Sequence, residues 1–393
     1  MVTNFRDQAQ SLSDELVERR RDLHRHPELA FEEFRTAKIV AETLTNLGLE
    51  VQTGIGKTGV VALLDGDKEG PTVLVRADMD ALPINEENST DYVSETPNKM
   101  HACGHDGHTT IALGVAKLFA ERREDIHGRI KFVFQPAEEI VRGAKAMIDD
   151  GALTNPTPDV SLGLHLWNSL PLGKVGVASG AVMAGSSTFK LIITGHGGHA
   201  ASPHSTIDPV ICAAQLIIAF QTIVSRNADP MASVVLSTTQ LKASDADNII
   251  PERVEVGGTF RTFSIEMRDL VETRIREISE SICKAMGCTV DVTINHGTIP
   301  TVNHADVVEK VRNRFVSIVG EENLLDDERT MGSEDVAYFM QDIPGMYFFV
   351  GSSNAERDLN YGHHHPRFDF DEAVLPLSVE LLASAIAEYV LPE

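Results

Sequence analysis

Cysteine is scarce in this sequence, with four residues among 393, at positions 103, 212, 283 and 288. Their spacing has no paired zinc-finger pattern, and a disulfide framework is not expected in such a chain. Long apolar runs are also lacking, since none approaches the ~18–20 residues that a membrane-spanning helix needs. The start of the sequence is polar and shows no apolar segment typical of a secretory signal. We therefore expect a cytoplasmic protein without a membrane-spanning helix.

Basic residues are in a clear minority. Lysine and arginine total 34, against 58 aspartates and glutamates, which gives a net charge of −24. The most basic segment, ERRRDLHRH at 18–26, also carries acids. This balance argues against binding to nucleic acid or to an anionic membrane. Because the chain is longer than the roughly 250–300 residues at which single cores stop growing, we expect two domains.

Strand and helix patterns alternate along much of the chain. The run TVLVRADMDALP is an apolar strand that ends in two aspartates, and RIKFVFQ and VSLGLHL are further buried strands separated by helical segments. Between 185 and 298 the order becomes β-α-β-β-α-β, which is typical of a ferredoxin-like module. We predict a mixed-sheet α/β fold in which 1–184 and 299–393 form one domain and 185–298 forms an inserted α+β domain.

Two familiar catalytic motifs can be set aside. The segment GIGKTG at 54–59 matches the glycine pattern of a dinucleotide site, but a strand, VVALL, follows it where that site requires a helix. Val51 also stands where a phosphate loop needs its first glycine. No G-x-S-x-G motif occurs, which weakens a serine-hydrolase interpretation.

Side chains that can bind metal gather in two short stretches. In MHACGHDGH at 100–108, Cys103 and His105 share a face if the segment is extended. In FVFQPAEE, a buried strand delivers Glu138 and Glu139, and paired carboxylates at such a place need a positive partner. One glutamate could bind metal while the other acts as a general base. The alternative for each stretch is a polar or charged helix start.

Two further stretches add imidazoles. His165 lies at the end of the strand VSLGLHL, where a core histidine is the alternative, and three consecutive histidines precede Pro366. Neighbouring residues cannot all point one way, so one of the three is expected to bind metal. A thiol, imidazoles and carboxylates together suit zinc or another borderline transition metal better than magnesium or calcium.

Ten motifs in order carry a resemblance that covers essentially the whole chain. They are RRRDLHRHPELAFEE, RADMDALP, HACGHDGHT, FVFQPAEE, GLH, GGHAASPH, NIIP, GTFR, MGSEDVAYF and HHHPRF. This set resembles the metal-dependent amidohydrolases of the aminoacylase/carboxypeptidase superfamily. The branch is the one with hippurate hydrolase, N-acyl-amino-acid amidohydrolases and plant auxin-conjugate hydrolases. The resemblance implies a metallopeptidase catalytic domain with an inserted lid and dimerisation domain.

The resemblance also implies roles for individual residues. Two divalent metal ions would be held by five side chains: Cys103, His105, Glu139, His165 and His364. Glu138 would be the general base. His199 would steady the oxyanion, often in the site of a partner subunit. Asn248 and Arg261 would hold substrate, and a structural ion pair is the alternative for Arg261. Zinc is the expected metal, with manganese, cobalt or nickel as alternatives.

One departure from the wider superfamily concerns the strand that usually ends in His-x-Asp. Here the strand ends in Asp78-x-Asp80, and Cys103 with His105 take the place of the missing donors. We interpret Asp80 as a carboxylate that orients an imidazole from outside the ligand set. His108 is assigned a similar supporting position. A thiolate ligand would make the site sensitive to oxidation.

These observations predict an enzyme that splits N-acyl-amino acids, such as N-acetyl or N-benzoyl conjugates, into a carboxylate and a free amino acid. The substrate would be a small molecule with a free carboxylate, and the protein would form a homodimer or homotetramer through the inserted domain. One alternative is a dipeptidase or an N-acetyl-diaminopimelate-type deacetylase with the same chemistry. Another is a catalytically silent binding homologue, against which the intact Glu138–Glu139 pair argues.

Overall fold

The computed structural model describes residues 4–391. Its helices are α1 (Arg6–Ser11), α2 (Ser13–Arg25), α3 (Phe34–Asn46), α4 (His105–Ala120), α5 (Gly143–Asp149), α6 (Pro209–Thr222), α7 (Ile265–Ala285), α8 (Ala305–Val319) and α9 (Val374–Val390). Its strands are β1 (Glu50–Ile55), β2 (Gly59–Asp65), β3 (Lys68–Asp78), β4 (His127–Gln135), β5 (Val160–Pro171), β6 (Val175–Gly176), β7 (Gly180–Met183), β8 (Gly185–Thr194), β9 (Gly198–His199), β10 (Val234–Lys242), β11 (Ile249–Ile250), β12 (Arg253–Thr262), β13 (Thr289–His296), β14 (Thr301–Asn303), β15 (Leu324–Leu325) and β16 (Gly345–Ser353).

The chain forms two compact units. Among the described residues, the first unit comprises 4–182, 302–329 and 335–391, and the second comprises 183–301 and 330–334. The short segment 330–334, which the sequence pattern assigns to the first domain, clusters with the second unit. The reason is local bonding, because the backbone N–H of Ala184 donates to the carbonyls of Thr330 and Gly332. Arg261 also donates to Ser333 Oγ at 2.7 Å.

The first unit is built on an eight-stranded sheet with the order β1-β2-β4-β3-β5-β16-β6-β15. The central strands β4, β3, β5 and β16 run parallel, while β1, β2 and β4 pair antiparallel. Side chains alternate along β3, so that Val73 packs in the core cluster with α4 and α9 while Leu74 packs with Met147 of α5. Helices therefore cover both faces, and the predicted mixed-sheet α/β class is confirmed.

Helix α4 is buried almost all round. Fourteen of its sixteen residues are buried, including the polar first turn from His105 to His108. The helix begins after Gly104, which has φ +90° and so adopts a left-handed conformation that favours glycine. Buried polar groups need partners, and this first turn finds them in residues far away in the sequence.

The second unit has an antiparallel sheet of order β10-β12-β8-β13 with α6 and α7 packed against it. Its elements follow the β-α-β-β-α-β order expected from the sequence. A separate two-stranded sheet pairs β9 with β11, placing His199 opposite Ile249.

One helix contradicts the expectation that no segment reaches membrane-spanning length. The stretch Pro209–Asn227, which continues α6 by a π-helical turn, has 19 residues and a mean hydropathy of 1.5, enough to cross a membrane by length and composition alone. A helix in the core of a globular unit passes the same test. In the second unit, Leu216 and Phe220 of this helix are fully buried against the sheet.

Candidate metal centre

The candidate site lies where parallel strands of the first unit end. Strand β3 ends at Asp78 and β4 at Gln135, and β5 carries His165 beside them. Parallel neighbours bring their carboxyl ends to one edge of a sheet, which is where α/β proteins place ligand sites. Segments that are far apart in the sequence meet there as a consequence of strand order.

Six side chains place donor atoms in one group, here named the donor cluster: Cys103, His105, Glu138, Glu139, His165 and His364. They form overlapping triads whose ligand atoms lie within 4.8 Å of one another. Cys103 Sγ is 3.7 Å from His165 Nε2. His364 Nε2 is 3.4 Å from a Glu139 oxygen. The structure thus brings together all five predicted ligands and the predicted base.

Two imidazoles present Nε2 to the cluster because a backbone carbonyl holds Nδ1. His105 Nδ1 donates to the carbonyl of Asp80 at 2.9 Å, and His165 Nδ1 donates to that of Leu166 at 2.7 Å. His105 Nε2 is buried without a hydrogen-bond partner among residues 4–391. It lies 4.0 Å from Glu138 and 3.9 Å from Glu139. A buried, orphaned imidazole nitrogen beside two carboxylates fits a metal ligand.

The electrostatics of the cluster also favour a bound cation. Burial, together with the carboxylate of Glu139, raises the pKa of the Cys103 thiol well above its usual value. Burial and the His108 ring lower the pKa of His165, which keeps that imidazole neutral. A thiol in such surroundings loses its proton readily only beside a positive charge, and a divalent metal provides one. The mixture of sulfur, nitrogen and oxygen donors fits zinc or a similar ion.

Asp80 approaches His105 as predicted and has a second contact that the sequence did not indicate. Its carbonyl accepts a hydrogen bond from His105 Nδ1 at 2.9 Å, and its carboxylate lies 3.5 Å from the same nitrogen. The carboxylate also accepts the backbone N–H groups of Glu138 and Glu139, each at 3.0 Å. The reason is geometric, since a carboxylate with two free oxygens can satisfy two consecutive amides of a tight loop. Asp80 therefore fixes the backbone of the loop that carries both glutamates.

His108 has both ring nitrogens engaged. Nδ1 donates to Asp78 at 2.7 Å, and Nε2 accepts the backbone N–H of Leu166 at 2.9 Å. The ring thus has no free donor for a metal and lies behind His165, whose Nδ1 is bonded to the carbonyl of the same leucine. This arrangement matches a supporting position outside the ligand set.

The three consecutive histidines point in different directions. His364 adopts a left-handed φ of +66°, and its backbone N–H donates to Ala102, which ties its loop to that of Cys103. His363 stacks on Trp167 and donates to the carbonyl of Leu166, and burial lowers the pKa of His363 to about 4. His365 stacks on Tyr361. Among the three, His364 is the one whose ring nitrogen joins the donor cluster.

The remaining predicted residues lie in the second unit. His199 and Asn248 are exposed neighbours, because β9 pairs with β11 and Ala200 N donates to the carbonyl of Asn248 at 3.0 Å. Arg261 is half-buried, and burial lowers its pKa. The structural ion pair considered for Arg261 is not found among residues 4–391, and its guanidinium donates to Ser333 Oγ.

Comparison with known proteins identifies the family. A sequence model of peptidase family M20/M25/M40 matches residues 74–388. The chain belongs to this family. The IAA-amino acid hydrolase ILR1-like 4 of Arabidopsis thaliana is 40% identical over 385 residues, covering 96% of this chain and 86% of its own. The N-acetyl-L-cysteine deacetylase of Bacillus subtilis (strain 168) is 39% identical over 376 residues, covering 95% and 88%.

A solved M20 structure supports the same assignment. The crystal structure of the YXEP protein of Bacillus subtilis, described as a dinuclear metal binding peptidase from the M20 family, matches with a TM-score of 0.83. It is 32% identical, and the match covers 96% of this chain and 98% of that one. The expected superfamily, its fold and a metal-dependent hydrolase are thereby confirmed.

Sequence patterns missed two buried carboxylates of this M20 chain that border the glutamate loop. Glu33 accepts the backbone N–H of Ala137, and Asp335 accepts that of Ala144. Asp335 also accepts from Gln135 Nε2 at 2.6 Å. Both lie in motifs that carry the family resemblance, HPELAFEE and MGSED, but nothing in a single sequence shows which acid of each motif turns inward.

Proposed function

We propose that this M20 family member hydrolyses the amide bond of N-acyl-amino acids, such as N-acetyl or N-benzoyl conjugates, to a carboxylate and a free amino acid. The observation that carries the proposal is the Glu138 carboxylate. It lies 4.0 Å from His105 Nε2, inside a group of donors that fits a dinuclear metal centre. The relatives named above act on conjugates of this kind.

The five other residues of the donor cluster would hold two divalent ions, with zinc expected and manganese, cobalt or nickel as alternatives. Metal bound there acts as a Lewis acid that polarises the amide carbonyl and lowers the pKa of water. Glu138 takes the proton of the attacking water and returns it to the departing amine nitrogen. No side chain of the cluster needs to form a covalent intermediate. The neighbouring carboxylate of Glu139 would bind the metal.

Residues of the second unit would recognise the substrate. His199 would donate a hydrogen bond to the developing oxyanion, and its exposed position leaves it available to a substrate. Arg261 would bind the free carboxylate of the amino-acid part, since it is partly desolvated and forms no ion pair within residues 4–391. Asn248, beside His199, would support the same substrate. The second unit would close over it as a lid.

A homodimer or homotetramer through the second unit is the proposed assembly. Helix α6 exposes Ile211 and Ile218, at 52% and 65% of their full area, and the edge strand β10 exposes Val235 and Leu241. Large exposed apolar side chains such as Ile211 and Ile218 on α6 can mark an interface. A cytoplasmic location stays an expectation from the sequence.

The decisive experiment is Glu138→Gln with the metal content measured in parallel. We expect close to two metal ions per subunit in both proteins and a loss of turnover in the variant of at least about a thousandfold, as befits a general acid–base group. A variant that keeps its activity would place the base elsewhere.

The substrate class is tested on the unaltered protein with N-acetyl, N-benzoyl and indole-acyl amino acids beside dipeptides and N-acetyl-diaminopimelate. Preference for the first group supports the proposal. Preference for a dipeptide or for the diaminopimelate derivative would move the protein to the corresponding alternative, and inertness towards all of them would indicate a silent homologue.

A further inference from the structure

The loop that carries Glu138 and Glu139 is held through three consecutive backbone amides. The N–H groups of Glu138 and Glu139 donate to Asp80, and the N–H of Ala137 donates to Glu33 Oε1 at 2.9 Å. Glu33 is completely buried. Two buried carboxylates from separate parts of the chain therefore hold the backbone on which the proposed base stands.

Two residues of this loop adopt a backbone conformation that is unfavourable for any residue other than glycine. Ala137 and Val141 have left-handed φ values of +53° and +56°, although neither is glycine. Such conformations persist only where the surrounding structure over-determines them. The hydrogen bond from Ala137 N to a carboxylate is charge-assisted, and it acts on one of the strained residues directly.

Glu33 is itself fixed from several sides. Its Oε1 also accepts the N–H of Phe31 at 2.9 Å, and its Oε2 accepts the hydroxyl of Thr58 in a short hydrogen bond. The segment before it is anchored next to Asp80, because Ala81 N donates to the carbonyl of Glu28 at 2.8 Å. Glu33 therefore joins three otherwise separate segments at a single carboxylate.

These contacts explain the position of two sequence motifs that contribute no residue to the donor cluster. The last glutamate of HPELAFEE is Glu33, and the threonine of GIGKTG is Thr58. Thr58 belongs to a turn between two strands, β1 and β2, rather than to a phosphate site. Both residues are at most 3% exposed, so a contact with substrate is excluded and any effect on the reaction must pass through the loop.

We propose that Glu33 is a positioning residue for the reaction: with Thr58 behind it, it fixes Ala137 and thereby aims the carboxylate of Glu138. The inference rests on the proposed function, in which Glu138 is the base. Replacing Glu33 by glutamine keeps the size and one acceptor oxygen but removes the charge. The bond from Ala137 then weakens while the fold keeps its packing.

The test compares Glu33→Gln and Thr58→Val with Glu32→Gln, a matched control at the adjacent, exposed glutamate. Hydrolysis of the best substrate of the screen is measured, and kcat is expressed per metal-loaded subunit. We expect kcat to fall about tenfold in Glu33→Gln, because the charge-assisted hydrogen bond from Ala137 N is weakened. In Thr58→Val kcat should fall about threefold, because Glu33 loses the hydroxyl that holds it. KM should stay within about twofold in both. The control should retain the kcat of the unaltered protein.

A double variant adds a second criterion. Because Thr58 acts through Glu33, Glu33→Gln with Thr58→Val should lose little more than Glu33→Gln alone. A merely structural role would lower the midpoint of thermal unfolding or the metal content while kcat per loaded subunit stayed unchanged, and that result overturns the proposal. If Glu33→Gln does not fold, an unchanged kcat in Thr58→Val overturns it as well.

The variant Glu138→Gln distinguishes a failure of the positioning role from a failure of the assigned base. If Glu138→Gln is inactive and the Glu33 and Thr58 variants keep full kcat, the positioning role fails while the proposed function stands. If Glu138→Gln is active, the base lies elsewhere and the Glu33 proposal fails, while the substrate screen decides the proposed function separately.

Discussion

The backbone of Leu166 organises three imidazoles at once. Its N–H donates to His108 Nε2, and its carbonyl accepts from His165 Nδ1 at 2.7 Å and from His363 Nε2 at 2.9 Å. Sequence patterns predicted the strand around His165 but could not predict this arrangement. Backbone atoms carry no residue identity, so the ring nitrogen that each histidine offers becomes visible only in the folded chain.

A second buried group of charges surrounds Arg20, which is fully buried. Its guanidinium bonds Asp106 at 2.8 Å and Asp369 at 2.6 Å. His24 lies beside it, 2.8 Å from Asp106 and 3.3 Å from Glu86. The rings of Tyr92 and His101 also face His24. Burial and Arg20 disfavour a charged His24, but the two carboxylates outweigh them and raise the pKa of His24 from 6.5 to about 9.

This shift predicts a pH dependence of stability. Since the folded pKa of His24 exceeds the unfolded value, its contribution is fully present below about pH 6.5 and is lost as the pH rises through about 9. Over that window the free energy of unfolding should fall by up to ~1.4 kcal/mol per pH unit on account of this residue. Urea unfolding from pH 6 to 9.5 measures the slope.

The comparison protein for this slope is His24→Gln, with His26→Gln as the control at a less buried histidine two residues further on. His24→Gln should flatten the dependence whatever its absolute stability, and His26→Gln should retain it. An unchanged slope in His24→Gln would assign the dependence to other groups.

At the scale of single elements, Gly143, the first residue of α5, packs against the loop after β4 and has no room for a side chain. A Cβ there would overlap the carbonyl oxygen of Pro136 and approach the side chain of Gln135. The backbone would have to shift, and overpacking of this kind costs roughly 1–3 kcal/mol.

We therefore expect Gly143→Ala to lower the free energy of unfolding by about 1–3 kcal/mol and to reduce turnover, because the same loop carries Glu138. Urea unfolding and kcat are the measurements. Gly257→Ala is the control, since its nearest neighbour is 3.4 Å away and its φ is not left-handed. Unaltered stability in Gly143→Ala would show that the loop relaxes freely.

Elements defined by local patterns were predictable, and contacts over long sequence separations were not. The apolar run of β3 and the helix after Gly104 follow from spacing within short windows. Arg20, by contrast, bonds to Asp369 across 349 positions, and nothing local to the basic segment at 18–26 indicates that one of its arginines is fully buried. The hydrogen bonds from the Glu138 and Glu139 amides to the Asp80 carboxylate were not predictable for the same reason, because these amides lie 58 and 59 residues away.

For the whole molecule, removal of metal should lower both activity and stability. A ligand that binds only the folded state stabilises it by about 4 kcal/mol when present at a thousand times its dissociation constant. Dialysis against a chelator should abolish hydrolysis and lower the midpoint of thermal unfolding. Zinc, manganese, cobalt or nickel should restore both to different extents. Full activity in protein shown to be free of metal would contradict the proposed chemistry.

The proposed assembly predicts the effect of one surface substitution. Ile218 on α6 is 65% exposed, so Ile218→Glu should cost the isolated subunit little but place a charge in an apolar interface. Light scattering after size exclusion should show a shift from dimer towards monomer. Asn313→Glu adds the same charge at an exposed position of α8 in the first unit and should leave the mass unchanged. A monomeric unaltered protein, or a dimeric Ile218→Glu, would refute this interface.

The second unit is assembled from two stretches of chain, and this limits how such proteins can be recombined. A chimera that exchanged only 183–301 with a relative would keep the recipient's own 330–334, so Arg261 and Ala184 of the graft would meet a foreign segment in place of Ser333, Thr330 and Gly332. The second unit can therefore be transplanted intact only if the five-residue segment 330–334 is transferred with the larger insert. A chimera that exchanges the whole second unit therefore needs four junctions in the chain rather than two.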